Sequence, residues 1–302
     1  MTPTIIVDFH DADRSRDALA LAWRFGKLPG ARLVTVSSYD HNLYSSLPRL
    51  DVWFAAVRRA MAATGIAKQL LGDGPGAVTR VVAAASPTQA LREVAERVQS
   101  DLIVLPSIAG TRHGRVGAGE VGRQLVQGAS CAVAVAPAGF AQIDGGLSPV
   151  GVGFDGSRES RAALASATSL ADALGSELRV ISVVKRPAAA HPTFADPGPD
   201  RLHDQRRSLL SEALTALPVR PETESIVTAG EPTEVLSDFS RELGLLVLGS
   251  RGYGPLRRVL LGSVSNGVLN RAACPVMIVP RGTERPQQQP SKGLSAKDRD
   301  LT

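Results

Sequence analysis

The chain has 302 residues, 43% of them hydrophobic, 21% charged and only 4% aromatic, with a formal net charge of +5. That length accommodates two domains with cores of their own, and so few aromatic rings, with arginines scattered rather than blocked, argue against a nucleic-acid surface. No apolar run reaches the roughly 18 residues that cross a membrane, and the opening MTPTIIVDFHD is acidic where a secretion signal is basic, so a cytoplasmic protein with no membrane partner is expected.

In chain order, segments of the first half return in the second. VDFHDADRSRDALALA (7–22) reappears as VGFDGSRESRAALASA (152–167), and SPTQAL (86–91) as EPTEVL (231–236), both at an offset of 145. Residues 102–137 then align without a gap with 245–280 at an offset of 143. The 12 identities in these 36 positions include Gly119 with Gly262, Cys131 with Cys274 and Pro137 with Pro280. Self-similarity of this kind marks a duplicated unit. It also accounts for the two cysteines as one repeated core position rather than a disulfide or metal pair. The expected domains are 1–139 and 148–281, joined near AGFAQIDGGLSP. Residues 282–302, nearly devoid of apolar side chains, are expected to be a disordered tail.

Both copies follow one plan, clearest in the second. PVGVGF reads as a strand, SRESRAALASATSLADALG as a helix closed by Gly175, and SELRVISVV as a second strand before the Pro-rich loop KRPAAAHPTFADPGP. RLHDQRRSLLSEALTAL is a helix, RPETESIVTAG a strand, and EPTEVLSDFSREL a helix with Pro232 in its first turn. LLVLGS, a glycine-rich loop, a helix and CPVMIVP complete the copy. Strands alternating with helices predict an α/β chain of two tandem Rossmann-like open parallel-sheet domains with helices on both faces. Ligands of such sheets bind beyond the carboxyl ends of the strands.

GVGFDG (Gly151, Gly153, Gly156) matches the letters of the dinucleotide fingerprint GxGxxG. Gly151 and Gly153, however, align with Ile6 and Asp8 inside a strand of the first copy, and the following strand ends SVVK without a carboxylate to hold a ribose. NAD and FAD are therefore excluded, and no GxxxxGK[ST] phosphate loop is present. The informative segment is GSRGYGPLRRVLLGSVS (249–265). Gly249 ends a strand, where a side chain would obstruct anything resting on the sheet edge. Gly252 and Gly254 permit positive φ and can turn backbone N–H groups toward an anion. Ser263 or Ser265 can cap the next helix or offer a hydroxyl to a phosphate, beside the unpaired N–H groups of that helix's first turn. Phosphate binding is favoured over a merely flexible, capped connection. Arg251 could neutralise phosphate charge, whereas Arg257 and Arg258 are read as solvated.

This loop, followed by CPVMIVP, resembles the G-x2-G-x9-G-[ST] segment of the universal stress protein family, ATP-binding type. VGFDGS and GEPTEVL are similar to that family's first-strand Asp-Gly-Ser and third-helix entry. The resemblance spans residues 1–281 as a tandem pair, the first copy being the more diverged. It implies an adenine nucleotide (ATP, ADP or AMP, with or without Mg2+) lying across the sheet edge of the second copy. Asp155, with Gly153 beside it, would approach the ribose or adenine, and Val184 would offer backbone atoms to the base. Gly249, Ser250, Arg251, Gly252 and Gly254 would wrap the ribose and phosphates. Gly262, Ser263, Val264 and Ser265 would bind phosphate. The resemblance further implies a role in stress response or signalling with an unknown protein partner. It implies, too, an intramolecular pseudo-dimer in which CAVAVAP pairs with CPVMIVP, with or without further homodimerisation.

The first copy departs from this pattern. Pro106, Ala109 and Glu120 stand where the second has Gly249, Gly252 and Ser263, and His10 replaces Asp155. Proline removes a donor and glutamate sets a negative charge where phosphate would lie, so this copy is expected to be nucleotide-silent and to serve in pairing. No catalytic constellation is evident: His10, His41, His113, His191 and His203 lack metal-ligand spacing and are read as charged surface residues, and no GxSxG elbow occurs. Asp155 is the only carboxylate that the repeat brings to the loop, so any ATP turnover is expected to be slow. Three readings stay open: a nucleotide-binding stress protein, a nucleotide-free scaffold of the universal stress protein A type, and an enzyme of the wider nucleotide-binding fold.

Overall fold

Both copies build the predicted series of elements. The computed structural model describes residues 3–41, 50–71, 76–128, 130–185, 198–218, 221–250 and 261–280. The first copy runs β1 (Thr4–Asp8), α1 (Ala12–Phe25), β2 (Arg32–Asp40), α2 (Leu50–Leu71), β3 (Ala77–Ala84), α3 (Pro87–Val98), β4 (Leu102–Leu105), α4 (Gly119–Gly128) and β5 (Ala132–Val135). A 3-10 turn over Phe140–Gln142 leads into the second. There follow β6 (Val150–Gly153), α5 (Arg158–Leu174), β7 (Leu178–Val184), α6 (Gly198–Thr215), β8 (Thr223–Ala229), α7 (Pro232–Phe239), β9 (Leu245–Gly249), α8 (Ser263–Val268) and β10 (Val276–Val279). The tail 282–302, most of the Pro-rich loop and the central glycine loop, residues 251–260, lie outside the described residues.

Local signals set the helix ends. Ser157 caps α5 by accepting the Ser160 N–H, and Gly175 closes it in the left-handed region at φ 59°. Ser86 likewise caps α3 ahead of Pro87. α7 is shorter than its sequence pattern predicts, giving way to a 3-10 turn over Ser240–Glu242. Buried Ser240 explains the change: its hydroxyl donates to the Ser237 carbonyl at 2.6 Å and accepts the Ala273 N–H at 2.8 Å, tying the chain to the start of the last strand.

The strands form one sheet in the order β3-β2-β1-β4-β5-β10-β9-β6-β7-β8. Pairing is parallel within each copy, with corresponding registers: Ile5 faces Leu33 and Val150 faces Leu178. β5 and β10 pair antiparallel, setting Val135 against Val276, Ala134 against Met277 and Val133 against Ile278. The carboxyl ends of the two copies' strands therefore lie on opposite edges of the sheet. Alternate strand residues feed two apolar layers, and each layer runs across the seam. Val7, Val104 and Ala134 share one with Val152, Val247 and Met277. Ile6, Ile103 and Val133 share the other with Leu246, Val276 and Ile278.

Polar contacts fix the connection. Buried Asp17 of α1 accepts the Gly139 and Ala141 N–H groups, both at 2.8 Å, at the start of the connecting turn. The loop after β4 reaches the second copy, where the Val116 and Ala118 N–H groups donate to the carbonyls of Ala272 (3.0 Å) and Leu269 (3.3 Å). No described helix is long and apolar enough to cross a membrane. Replacing Asp17 with alanine strands two part-buried donors and is expected to cost about 2 kcal/mol, read as a lowered urea midpoint at unchanged slope.

Candidate functional site

A cleft of 270 Å³ lies over the carboxyl ends of β6, β7 and β9, between the starts of α5, α7 and α8. Gly153, Asp155, Gly249, Gly262, Ser263, Val264 and Ser265 all border it, although they come from segments about a hundred residues apart. Asp155 follows β6 in a tight turn. Its carboxylate accepts the Ser157 N–H at 3.0 Å, and Gly156 between them sits at φ +81°, a conformation that favours glycine. The Asp155 carbonyl accepts a hydrogen bond from Arg206 of α6. Arg251, Gly252 and Gly254 lie outside the described residues.

Several roles expected from the pattern shift. A Cβ on Gly249 would come within 2.6 Å of the Glu159 carbonyl group. This glycine therefore admits the first turn of α5 against β9 while also bordering the cleft. Ser265 spends its hydroxyl on the Gly249 carbonyl at 3.0 Å. Neither serine caps α8: the N-cap is Gly262, which offers no side chain, and Ser263 is the first helical residue, exposed to solvent. Ser250 is fully buried, its N–H donating to Val279 at 3.0 Å, and it is not among the residues bordering the cleft. Val184 gives its carbonyl to the Gly230 N–H at 3.0 Å. It is Val183 and Ile181, on the alternate face of β7, that line the cleft.

The carboxylate count also changes. Glu159 and Glu231 border the cleft beside Asp155. Glu231 pairs with Lys185 at 3.2 Å across two largely exposed side chains, a contact that stabilises little but sets a charge pair at the mouth. Strand alternation points to Val183, and the position of Glu231 just before Pro232 was a usable signal. Arg206 carried none, because only the placement of α6 brings it there.

In the first copy the corresponding loop is closed on itself. Ser107 donates to the Ala136 carbonyl at 2.7 Å and accepts the Gly117 N–H at 3.0 Å. Ile108 covers Gly119 so closely that a Cβ there would lie 2.3 Å from its methyl group. Glu120 is paired with Arg123 at 2.6 Å, and hydrogen bonding from that guanidinium holds the carboxyl below its ordinary range. His10 is not a solvated surface residue: it is only partly exposed and contacts Asp8 and Ser38. Among the described residues no group of three or more metal-ligating side chains occurs.

A family model described as the universal stress protein family matches this chain twice, over residues 1–137 and 147–280. The chain belongs to the universal stress protein family. The universal stress protein Rv2005c of Mycobacterium tuberculosis is 31% identical over 237 residues, which cover 75% of this chain and 78% of its own. YxiE of Bacillus subtilis is 34% identical over 143 residues, 42% of this chain and 95% of its own, so nearly the whole of that relative corresponds to less than half of this chain. A universal stress protein from Archaeoglobus fulgidus superposes with a TM-score of 0.69 at 19% identity, covering 92% of this chain and 98% of that one. The two share a fold over almost their full lengths. Within this universal stress protein, Gly249→Ala is expected to push α5 off β9. A loss of about 2 kcal/mol in urea unfolding is the expected cost of such overpacking.

Proposed function

We propose that the second copy binds an adenine nucleotide, ATP or its ADP and AMP relatives with or without Mg2+, and that the protein acts in stress response or signalling through that binding. The observation that carries the reading is the single cleft faced by Asp155 on one side and Gly262, Ser263 and Val264 on the other. A nucleotide needs an acceptor for its ribose or base, an apolar slot, and donors for its phosphates. Ile181, Val183, Leu236 and Leu248 supply the slot, and the first-turn N–H groups of α8 have no partners within the helix. The 270 Å³ volume stands near the lower end of ligand cavities, about 300 Å³, which suits a mononucleotide better than a dinucleotide. Binding rather than rapid turnover is the role inferred, with hydrolysis slow at most. The proposed units are 1–139 and 148–281. The first stays without nucleotide, a reading supported by Ile108 over Gly119 and by Glu120 at the start of α4.

Titration calorimetry with Mg-ATP on nucleotide-stripped protein tests this. One site per chain is expected, and saturation at about 100 times Kd should add about 2.7 kcal/mol of stability. Ser263→Glu, which copies Glu120 into the second copy at an exposed position, should weaken binding at least ~10-fold, about 1.4 kcal/mol. Two sites per chain would show the first copy to be active. No heat and no thermal shift would return the protein to the scaffold reading.

A further inference from the structure

On the opposite edge of the sheet, where the first copy's strands end, three side chains stand in line. Asp8 closes β1, His10 follows it, and Ser38 lies near the end of β2. His10 Nδ1 contacts Asp8 Oδ1, and its Nε2 lies 2.6 Å from Ser38 Oγ. The Ser38 backbone N–H also points at Nε2, at 3.3 Å. A backbone N–H can only donate, so Nε2 is an acceptor, the ring proton sits on Nδ1 facing Asp8, and the Ser38 hydroxyl donates to Nε2. Asp8 Oδ1 is buried and makes no hydrogen bond of good geometry among the described residues, so its close approach to His10 Nδ1 is a contact of charge. Ser15 holds the backbone of the turn, its Oγ accepting the His10 N–H at 3.2 Å. The second copy has Gly153, Asp155 and Val183 at the matching positions, so all three members differ together.

We propose that Asp8, His10 and Ser38 form a nucleophilic relay through which Ser38 takes up an acyl group from small activated esters or thioesters. As the bond from Ser38 Oγ to the acyl carbon forms, His10 Nε2 takes the hydroxyl proton. It then gives that proton to the alcohol or thiol whose bond to the acyl carbon breaks, leaving O-acyl Ser38 and a neutral ring. Ser38 and His10 are the catalytic pair; Asp8 is a positioning residue that fixes the tautomer. Side-chain exposures of 29% for His10 and 13% for Asp8 leave the base reachable and its carboxylate screened. Burial disfavours the charged ring, but the charge of Asp8 beside it prevails and raises its pKa. Arg14 of α1, itself paired with Asp11 at 2.9 Å, opposes the rise.

The relay lies on the sheet edge away from the nucleotide cleft, and its test involves no nucleotide. The full chain is incubated with p-nitrophenyl acetate, digested and analysed by mass spectrometry. The expected result is acetylation of Ser38 that vanishes in Ser38→Ala and slows at least ~100-fold in His10→Gln. In Asp8→Asn the reaction slows and its pH midpoint moves down, because the carboxylate that raises the His10 pKa is gone. Acetylation confined to lysines, or Ser38 acetylated equally fast in His10→Gln, overturns the proposal. If the histidine variant does not fold, Ser38→Cys decides. A thiol paired with His10 reacts with iodoacetamide near neutral pH much faster than free cysteine, whereas an ordinary rate overturns the relay; the native Cys131 and Cys274 are buried and give little background.

Discussion

The antiparallel pairing of β5 with β10 is the contact on which the rest of the molecule depends. Each copy alone would end in an open strand edge, a template for unwanted pairing. Joining the two edges removes both liabilities and fuses two small sheets into one. The apolar layers on either side of the sheet are continuous across this seam, so the copies share their cores as well as their strands. Because the seam is antiparallel, it also sends the two sets of strand termini to opposite edges. The two sets of strand ends thus share one scaffold without competing for space.

That separation left the copies free to diverge. In the second, a glycine-spaced loop follows β9 and the cleft stays open. In the first, Ile108 packs over Gly119, Ser107 bonds the Ala136 carbonyl, and the strand ends carry hydrogen-bonded polar side chains instead. A duplicated domain needs only one ligand edge to stay intact; the other can change as long as its strands still pair.

Much of this was legible in the sequence, because the repeat exposed each element twice. Strand and helix order, the helix end at Gly175 and the shared position of the two cysteines all followed from pattern and spacing. The misreadings have one cause: they concern what surrounds a residue, which one-dimensional spacing does not encode. Gly249 was expected to leave the sheet edge clear, and its missing side chain also makes room for the Glu159 backbone. Val184 ends its strand as expected, and the two-residue period turns the side chain of its neighbour Val183 toward the cleft. His10 appeared as an isolated polar residue because its partners are one neighbour two residues away and one strand residue 28 positions on. Only the parallel pairing of β1 with β2 brings them together.

The loop after β4 touches the second copy at the carbonyls of Leu269 and Ala272, just beyond the end of α8. That helix has only 6 residues, about 9 Å of length. Its first turn borders the cleft while the diverged copy grips its far end. The first copy is therefore less a retired binding domain than a strut. The two copies are tied together at α8, the short helix whose first turn borders the cleft. Severed from its partner, the second copy would keep its cleft residues but lose the anchor that keeps one wall of the cleft in place.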